Sequence, residues 1–266
     1  MNRMLRIVCA GVVAAGLLAG SGCGRPRESV TLAGSTAFQP FAEKLADQYM
    51  AVHPEAAITV QGGGSALGIQ AALSGAAQIG MADLVKLPPE AAALTSIIAA
   101  RDGIALIVNP SNTVAALTTD QIRGIFNGVV KNWKELGGED GPITVVSRES
   151  GSGTRSSFEQ IVRDVRLANS AVIQDSNGTI RETVAQDPRA IGYLSHGLVN
   201  EKIKALPVDG VACAEDAIVA GRYPLVRPVF LLTKGTPSAT CQAFLNYVLS
   251  AEGQELIHKN GLLKAK

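Results

Sequence analysis

Three segments of the chain share one local design: a short apolar run, a turn rich in glycine and hydroxyl side chains, and then apolar residues at helical spacing. The three turns are Gly34-Ser35-Thr36, Gly62-Gly63-Gly64-Ser65 and Gly151-Ser152-Gly153-Thr154. Strand, turn and helix repeated in this way predict an α/β fold with a sheet rich in parallel strands. In such folds, ligands bind beyond the carboxyl ends of the strands, at the N-termini of the next helices. The turns therefore constrain both the fold class and the position of a ligand site.

The pattern runs through the chain in two cycles of comparable length, which predicts two lobes. A helix capped by Ser65 and ended by Gly75 belongs to the first cycle, and a helix capped by Thr118 or Thr119 opens the second. The predicted strands are Val30–Ala33, Ala57–Gln61, Ile79–Met81, Gly103–Asn109, Ile143–Ser147, Ile191–Leu194 and Val226–Thr233.

The N-terminus has the pattern of a secretory signal. Arg3 and Arg6 precede an apolar run over Ile7–Leu18, and small residues follow. Cys23 comes directly after them, which resembles a bacterial lipobox, where the cysteine is lipidated and becomes the new N-terminus. The position three residues before it holds glycine instead of the usual leucine, and the alternative is an ordinary cleaved signal with a chance cysteine. We expect a signal peptide over 1–22 and a tether over 23–29.

Composition and charge exclude several classes of protein. The full chain has a formal net charge of +1, and two of the positive charges lie in the leader, so the exported chain is close to neutral. The sequence contains no basic run or basic stripe with interleaved aromatic residues, which argues against nucleic acid as a partner. After the leader, no stretch approaches the roughly 20 apolar residues that span a membrane. An anion-binding function must therefore rest on local geometry and not on overall charge.

The remaining cysteines and the histidines give no sign of a metal site. Cys213 and Cys241 form an even pair in an exported chain, so we expect either a disulfide or two separate buried thiols. His53, His196 and His258 are far apart and share no ligand spacing with these cysteines, so no metal site is predicted.

The turns carry the chemistry that the sequence offers. Each can present unpaired backbone N–H groups at the start of a helix, where the helix dipole favours an anion. Glycine lets the backbone approach a ligand closely, and hydroxyls add donors. Arg148 precedes Ser152 by four residues at a strand end, and a guanidinium there can bind a tetrahedral oxyanion through two parallel hydrogen bonds. A lone arginine at a strand end is most often a solvated surface charge, but its place beside this turn favours an oxyanion site.

Six longer segments carry a resemblance to a known family. They are, in order, VTLAGSTAFQPFAEKLADQY, ITVQGGGSALGIQAALSGAAQIGMAD, LTTDQIRGIFNGVVKNWKELGG, ITVVSRESGSGTRSSFEQIV, AQDPRAIGYLSHG and YPLVRPVFLL. Together they resemble the phosphate-binding proteins of bacterial phosphate ABC transporters, from about Val30 to the C-terminus, and SRESGSGT is the most specific part. The resemblance implies an α/β fold of the type II periplasmic-binding-protein class, in which two α/β lobes joined by two crossover strands close on one anion in the cleft between them.

The resemblance also implies a set of ligand contacts on the two walls of the cleft. They are Ser35, Thr36 and the Ala37 backbone N–H in the first turn, Ser65 in the second, Asp83 in the segment IGMAD, and Arg148, Ser152, Gly153 and Thr154 on the far wall. Asp83 is informative, because a carboxylate can accept a hydrogen bond from the O–H of a protonated phosphate but repels sulfate, which carries no proton at neutral pH. Without the resemblance, Asp83 is a loop-end or capping residue.

The expected division of the chain follows from the same comparison. Lobe 1 is expected over 30–108 with 226–266 and lobe 2 over 109–225, with the crossovers carried by Gly103–Asn109 and Val226–Thr233. The implied function is binding of inorganic phosphate outside the cytoplasm and its delivery to the permease subunits of an ABC importer. The protein is then expected to be a monomer, held at the membrane by a lipid anchor and without a cofactor.

Two alternatives remain from the sequence: a binding protein for another oxyanion, such as sulfate or molybdate, and a phosphate-ester hydrolase. Ser152 has glycine on both sides, which is not the Gly-x-Ser-x-Gly elbow of serine hydrolases. The segment GGGSALG fits neither the P-loop nor the dinucleotide-binding pattern. The sequence shows neither the metal ligands nor the cysteine nucleophile of a phosphatase, so it favours a binding protein over an enzyme.

Overall fold

The computed structural model describes residues 28–265 of the chain. The expected signal peptide over 1–22 and the expected lipidation at Cys23 lie outside the described residues. The first strand begins at Glu28, so the last two residues of the expected tether, 28 and 29, belong to the sheet. Within the described range, no helix has the length and apolar character needed to cross a bilayer.

The strands form one mixed sheet. In chain order they are β1 (Glu28–Gly34), β2 (Ala56–Gly62), β3 (Ile79–Asp83), β4 (Thr95–Val108), β5 (Thr144–Arg148), β6 (Val172–Gln174), β7 (Ala190–Ser195), β8 (Lys204–Leu206), β9 (Val226–Thr233) and β10 (Leu263–Lys264). The order across the sheet is β2-β1-β3-β9-β4-β7-β5-β6, and β8 and β10 also pair with β4. β1 is parallel to β2 and β3, and β5 is parallel to β6 and β7, whereas β9 is antiparallel to both β3 and β4.

Helices follow most of these strands, as the repeated pattern predicts. They are α1 (Gln39–Val52), α2 (Ser65–Ser74), α3 (Thr119–Phe126), α4 (Gly153–Val162), α5 (Asn177–Gln186), α6 (Glu215–Val219), α7 (Ala239–Leu249) and α8 (Ala251–Lys259), with short 3-10 helices at Pro89–Ala93, Trp133–Leu136 and His196–Leu198. Thr118 caps α3, and Gln121 completes a capping box with it. The α/β class expected from the sequence is confirmed. Below, β1, β2 and β3 with α1 and α2 are called the first half, and β5, β6 and β7 with α4 and α5 the second half.

β4 is longer than the sequence predicts and joins the two halves of the sheet. The expected strand was Gly103–Asn109, but β4 begins at Thr95. Its first part pairs with β9, from Thr95 opposite Thr233 to Gly103 opposite Val226, and its last part pairs with β7. Between Thr95 and Asp102 the apolar run is only four residues long, Ile97–Ala100, and the charged pair Arg101-Asp102 separates it from the longer run that the sequence pattern detects. β9 has the predicted bounds.

Each half of the sheet packs its own hydrophobic core. In the first, Leu32, Phe41, Leu45 and Phe244 are buried between the sheet and helices α1, α7 and α8. In the second, the largest cluster contains five aromatic side chains, and Phe158 stacks on Tyr193 with ring centroids 4.2 Å apart. The burial of these apolar side chains is the main favourable contribution to the folding free energy of each half.

Of the two possibilities for Cys213 and Cys241, the structure has two free thiols with no disulfide between them. Cys241 belongs to the core of the first half, whereas Cys213 packs against the clusters of the second half. The alternative interpretation, two separate buried thiols, is the one that the structure supports. Burial raises the pKa of Cys213 to about 12 and that of Cys241 to about 11, so neither is a reactive thiolate at neutral pH.

Candidate anion-binding site

The N-terminal ends of α2 and α4 meet between the two halves of the sheet. Gly153, the first residue of α4, comes so close to α2 that a Cβ at this position would lie 2.1 Å from the Ser65 Oγ. The Ala66 N–H donates a hydrogen bond of 3.1 Å to the Gly151 carbonyl across the same gap. The first N–H groups of a helix have no intrahelical partner, and the dipole makes that end positive. Two positive helix ends therefore face one small space.

Ser65 is not the N-cap that the sequence predicts. Gly64 is the N-cap of α2, with a φ of 87° that favours glycine, and Ser65 is the first helical residue. The Ser65 Oγ instead donates to Oδ1 of Asp83 at 2.7 Å and accepts from the Asp83 N–H at 3.0 Å. Because glycine takes over the cap, the serine hydroxyl is available for the site.

The first turn, between β1 and α1, holds its residues in fixed positions. The Ser35 N–H donates to the Met81 carbonyl at 2.9 Å, and its Oγ accepts from the Phe38 N–H at 3.1 Å. Ser35 and Ala37 are buried. Thr36 lies between them, so the expected first-turn contacts occupy one rigid segment at the start of α1.

Asn177 ties this turn to the second half of the sheet. It is the first residue of α5, which Ser176 caps, and its side chain is buried. Its Nδ2 donates to the Thr36 Oγ1 at 3.1 Å, and its Oδ1 accepts from the Ser195 N–H at 3.0 Å. From the sequence, Asn177 is interpreted only as part of a helix cap, because Ser-Asn-Gly-Thr is an ordinary helix start.

Asp83, at the end of β3, is the most connected acidic group of the site. It is 2% exposed. Its Oδ1 accepts from Ser65, and its Oδ2 accepts from the Thr154 Oγ1 at 3.1 Å. The same Oδ2 forms a short ion pair with Nη1 of Arg227. A buried carboxylate with a counter-charge and two hydroxyl donors satisfies the requirement that buried charges be paired and hydrogen-bonded.

Arg227 is a residue of the site that the sequence analysis missed. It lies on β9 directly opposite Asp102 of β4, and both are almost fully buried. Its Nη2 and Nε contact Oδ2 of Asp102 at 2.9 Å and 3.3 Å. Burial raises the pKa of Asp102, and the guanidinium opposes that shift. The signal was present in the segment YPLVRPVFLL, because an arginine within an apolar strand needs a buried partner.

Arg148 ends β5 and is 1% exposed, so it is not a solvated surface charge. Its Nε and Nη2 each lie 2.8 Å from a carboxylate oxygen of Glu149, and Nη2 also donates to the Asp175 carbonyl at 3.1 Å. Its Nη1 is buried and has no hydrogen-bond partner among the described residues. Buried donors are nearly always paired in proteins, so this nitrogen calls for an acceptor.

The start of α4 supplies further donors. Ser152 caps this helix, and its Oγ accepts from the Arg155 N–H at 3.2 Å. The cap uses a lone pair of the hydroxyl and leaves its proton free to donate elsewhere. Gly153 and Thr154 follow as the first helical residues, and both are buried.

The structure thus brings four of the expected residues into direct contact or close approach: Ser65, Asp83, Gly153 and Thr154. Thr36 joins them through Asn177. Arg148 reaches the first half through its Glu149 partner, whose Oε1 would lie 3.1 Å from a Cβ at Gly64.

A cleft of about 180 Å³ opens beside these residues, lined by both halves, with Lys86 and Glu90 on one wall and Ser150 and Ser156 on the other. A larger cavity of about 510 Å³ lies near Trp133 and Arg189, at the amino ends of β5 and β7. That position is opposite to the helix N-termini, so the smaller cleft is the one that belongs to the anion site. Among residues 28–265, no cluster of three or more histidine, cysteine or acidic side chains is arranged to hold a metal ion.

Comparison with known proteins identifies the family. Residues 19–252 match the family model described as the PBP superfamily domain. The chain belongs to this family. A relative from Bacillus subtilis (strain 168), the phosphate-binding protein PstS, is 37% identical over 233 residues, which cover 86% of this chain and 78% of the relative.

Solved structures agree with the family assignment. The chain superposes with a TM-score of 0.86 and 38% identity on a phosphate ABC transporter substrate-binding protein with bound phosphate from Clostridium perfringens, covering 90% of this chain and 100% of that one. An ABC-type phosphate transport receptor from Vibrio cholerae gives a TM-score of 0.74 at 33% identity, covering 88% of this chain and 99% of that one. The type II periplasmic-binding-protein fold expected from the sequence is confirmed.

Proposed function

We propose that the protein binds inorganic phosphate outside the cytoplasm and delivers it to the permease subunits of an ABC importer. The observation that carries the proposal is the buried Nη1 of Arg148, a charged donor without a partner among the described residues, in a site where helix N-termini from both halves meet. The B. subtilis relative is a phosphate-binding protein, and the C. perfringens structure contains phosphate. Both facts support phosphate as the ligand here.

The proposed contacts divide between the two walls of the cleft. The first wall offers Ser35, Thr36, the Ala37 N–H and Ser65, and the second offers Arg148, Ser152, Gly153 and Thr154. Backbone N–H groups and hydroxyls stabilise the charge of an oxyanion without any ion of opposite sign, as at other helix N-termini. The Ser65 and Thr154 hydroxyls donate their protons to Asp83, so their part is to hold that carboxylate beside the ligand. Arg148 adds one charge-assisted donor.

Asp83 is proposed to select for protonated oxyanions. Its carboxylate accepts a hydrogen bond from a phosphate O–H, whereas a fully ionised oxyanion of the same shape meets a like charge. The side chain is buried at the position where Ser65 and Thr154 converge. Phosphate and arsenate keep a proton near neutral pH, and sulfate does not.

We also propose that the chain moves as two lobes, 30–108 with 226–266 and 109–225, which close on the ligand. β4 and β9 connect the separate cores of the two halves. The hydrogen bonds between Asn177 and Thr36 and between Thr154 and Asp83 cross the cleft, and they would form on closure.

The chain is proposed to be a binding protein and not an enzyme, exported by the leader and anchored through a lipid on Cys23 as a monomer. Its relatives are binding proteins of transport systems.

Isothermal titration of the chain without its leader tests the ligand. We expect phosphate and arsenate to bind one per chain, and sulfate and molybdate to bind much more weakly. Equal or tighter binding of sulfate or molybdate would assign the site to another oxyanion. Turnover of p-nitrophenyl phosphate, in the same preparation, would assign it to a hydrolase.

A further inference from the structure

We propose that Arg227 is a positioning residue that sets the oxyanion selectivity of the cleft: paired with both Asp83 and Asp102, it keeps the Asp83 carboxylate a fixed, charged acceptor. This inference rests on the proposed function, because it concerns how the same cleft distinguishes phosphate from sulfate. Arg227 is not itself expected to touch the ligand.

The contacts of Arg227 place it between two acidic groups. Its Nη1 forms the ion pair with Asp83 and also lies 3.4 Å from the Asp83 carbonyl oxygen. Its Nη2 and Nε face Asp102. Arg227 and both aspartates are at most 2% exposed, so solvent does not screen this charge cluster.

The backbone fixes the guanidinium in place. Arg227 and Asp102 are register partners, one residue before the β4–β9 pairing ends at Gly103 opposite Val226. Ser195, at the end of β7, donates to the second oxygen of Asp102 at 2.9 Å. The cluster therefore joins the end of β3, the two strands that connect the halves, and the end of β7.

Charge determines what Asp83 can do. From β9 it faces Arg227, and from β4 it faces the like charge of Asp102. From α2 and α4 it receives hydroxyls, which are the Ser65 and Thr154 donors to its carboxylate and the Ser157 donor to its carbonyl. A buried carboxylate that loses its counter-charge takes up a proton instead of remaining ionised. Removal of Arg227 should therefore neutralise Asp83.

A neutral Asp83 changes the preference of the site. A protonated carboxyl donates a hydrogen bond and no longer repels a fully ionised anion. In the parent protein, the hydroxyls of Ser65 and Thr154 donate to the ionised Asp83, so they can offer only lone pairs to a ligand. Once Asp83 is neutral, these hydroxyls would be released to donate to the ligand. Both effects favour sulfate relative to phosphate, and both should reverse when high pH ionises Asp83 again.

The test compares the affinity ratio of sulfate to phosphate in Arg227→Met and in the parent, by titration calorimetry at pH 6 and pH 9. Dividing by the parent ratio at each pH cancels the titration of free phosphate. We expect the ratio to rise by at least about tenfold at pH 6 and to return towards the parent value at pH 9. Asp83→Asn should raise the ratio at both pH values, because its amide cannot ionise.

A second variant protects the test against misfolding. Arg227→Met with Asp102→Asn removes one base and one acid together, so the net charge of the cluster is unchanged while Asp83 still loses its partner. It should show the same pH-dependent ratio. Arg227→Lys keeps the charge and should keep the parent ratio.

Arg101→Met is the matched control. Arg101 precedes Asp102 on β4, so its side chain points to the other face of the sheet. The sulfate-to-phosphate affinity ratio of Arg101→Met should therefore equal that of the parent. A parent that shows no preference for phosphate would refute the proposed function itself. A parent that prefers phosphate, with folded Arg227 variants that keep its ratio at both pH values, would refute only the role of Arg227.

Discussion

Replacing Arg148 with methionine should weaken phosphate binding by an amount that the structure limits. Three of the five guanidinium N–H groups are already used, two on Glu149 and one on the Asp175 carbonyl. Only Nη1 is left to contact a ligand, so the two parallel hydrogen bonds expected from the sequence are reduced to contacts from one nitrogen. A hydrogen bond to a charged group contributes roughly 1.5–3 kcal/mol. At about 1.4 kcal/mol per tenfold change, the dissociation constant should rise about 10- to 150-fold.

Titration calorimetry with phosphate measures the change, and thermal unfolding without ligand checks that the variant folds. Stability should change little, because Glu149 is 31% exposed and can be solvated once its partner is lost. Arg222→Met, which removes an exposed arginine paired with Asp216, controls for the loss of one positive charge. If Arg148→Met folds and binds phosphate as tightly as the control, Nη1 does not contact the ligand and the argument from its missing partner is wrong.

Three other predictions test the close approach of the two walls, the thiols and the anchor. Gly153→Ala places a methyl group 2.1 Å from the Ser65 Oγ and 2.8 Å from the Asp83 Oδ1, so it should hold the two walls of the cleft apart. Titration calorimetry should then show phosphate binding weakened at least about tenfold. An unchanged affinity would mean that the walls need not meet. Burial raises the pKa of Cys213 to about 12 and that of Cys241 to about 11, so neither thiol should react with iodoacetamide at pH 8 in the folded protein. Tested in a chain that starts after Cys23, both thiols should be labelled in guanidinium without reductant. A failure to label in the denaturant would indicate a disulfide. Cys23→Ser should move the protein from the membrane fraction to the soluble fraction, and a wild-type protein that is already soluble would exclude the anchor.

The parts of the site that the sequence predicted are those whose signals are local. Gly151, Ser152, Gly153 and Thr154 are adjacent in the chain, and a glycine-rich turn before a helix determines its own backbone geometry. Arg148 was found because it lies next to such a turn. The α/β class followed in the same way, from strands and helices that each have their own periodicity.

The parts that the sequence could not give depend on partners far away in the chain. Arg227 and Asp102 are 125 residues apart, and Asn177 and Thr36 are 141 apart. Each sequence segment shows only one member of the pair, and nothing local tells which buried groups will meet. The error at Ser65 has a different cause, because serine is a good N-cap by propensity, while tertiary contacts with Asp83 gave its hydroxyl another use.

The charges of the site explain how a nearly neutral protein can bind an anion selectively. Arg148 and Arg227 are the buried basic groups of the site, and each is already paired with a carboxylate, Glu149 in one case and Asp83 with Asp102 in the other. Side-chain charge therefore does not by itself attract an anion. The attraction must come from backbone N–H groups, hydroxyls and the one unpaired nitrogen of Arg148, which act only at hydrogen-bonding distance and require the two walls to meet. A site built in this way discriminates by where its donors and its carboxylate acceptor lie, so a ligand that matches the donors but lacks a proton for Asp83 should be rejected even though its charge is at least as high.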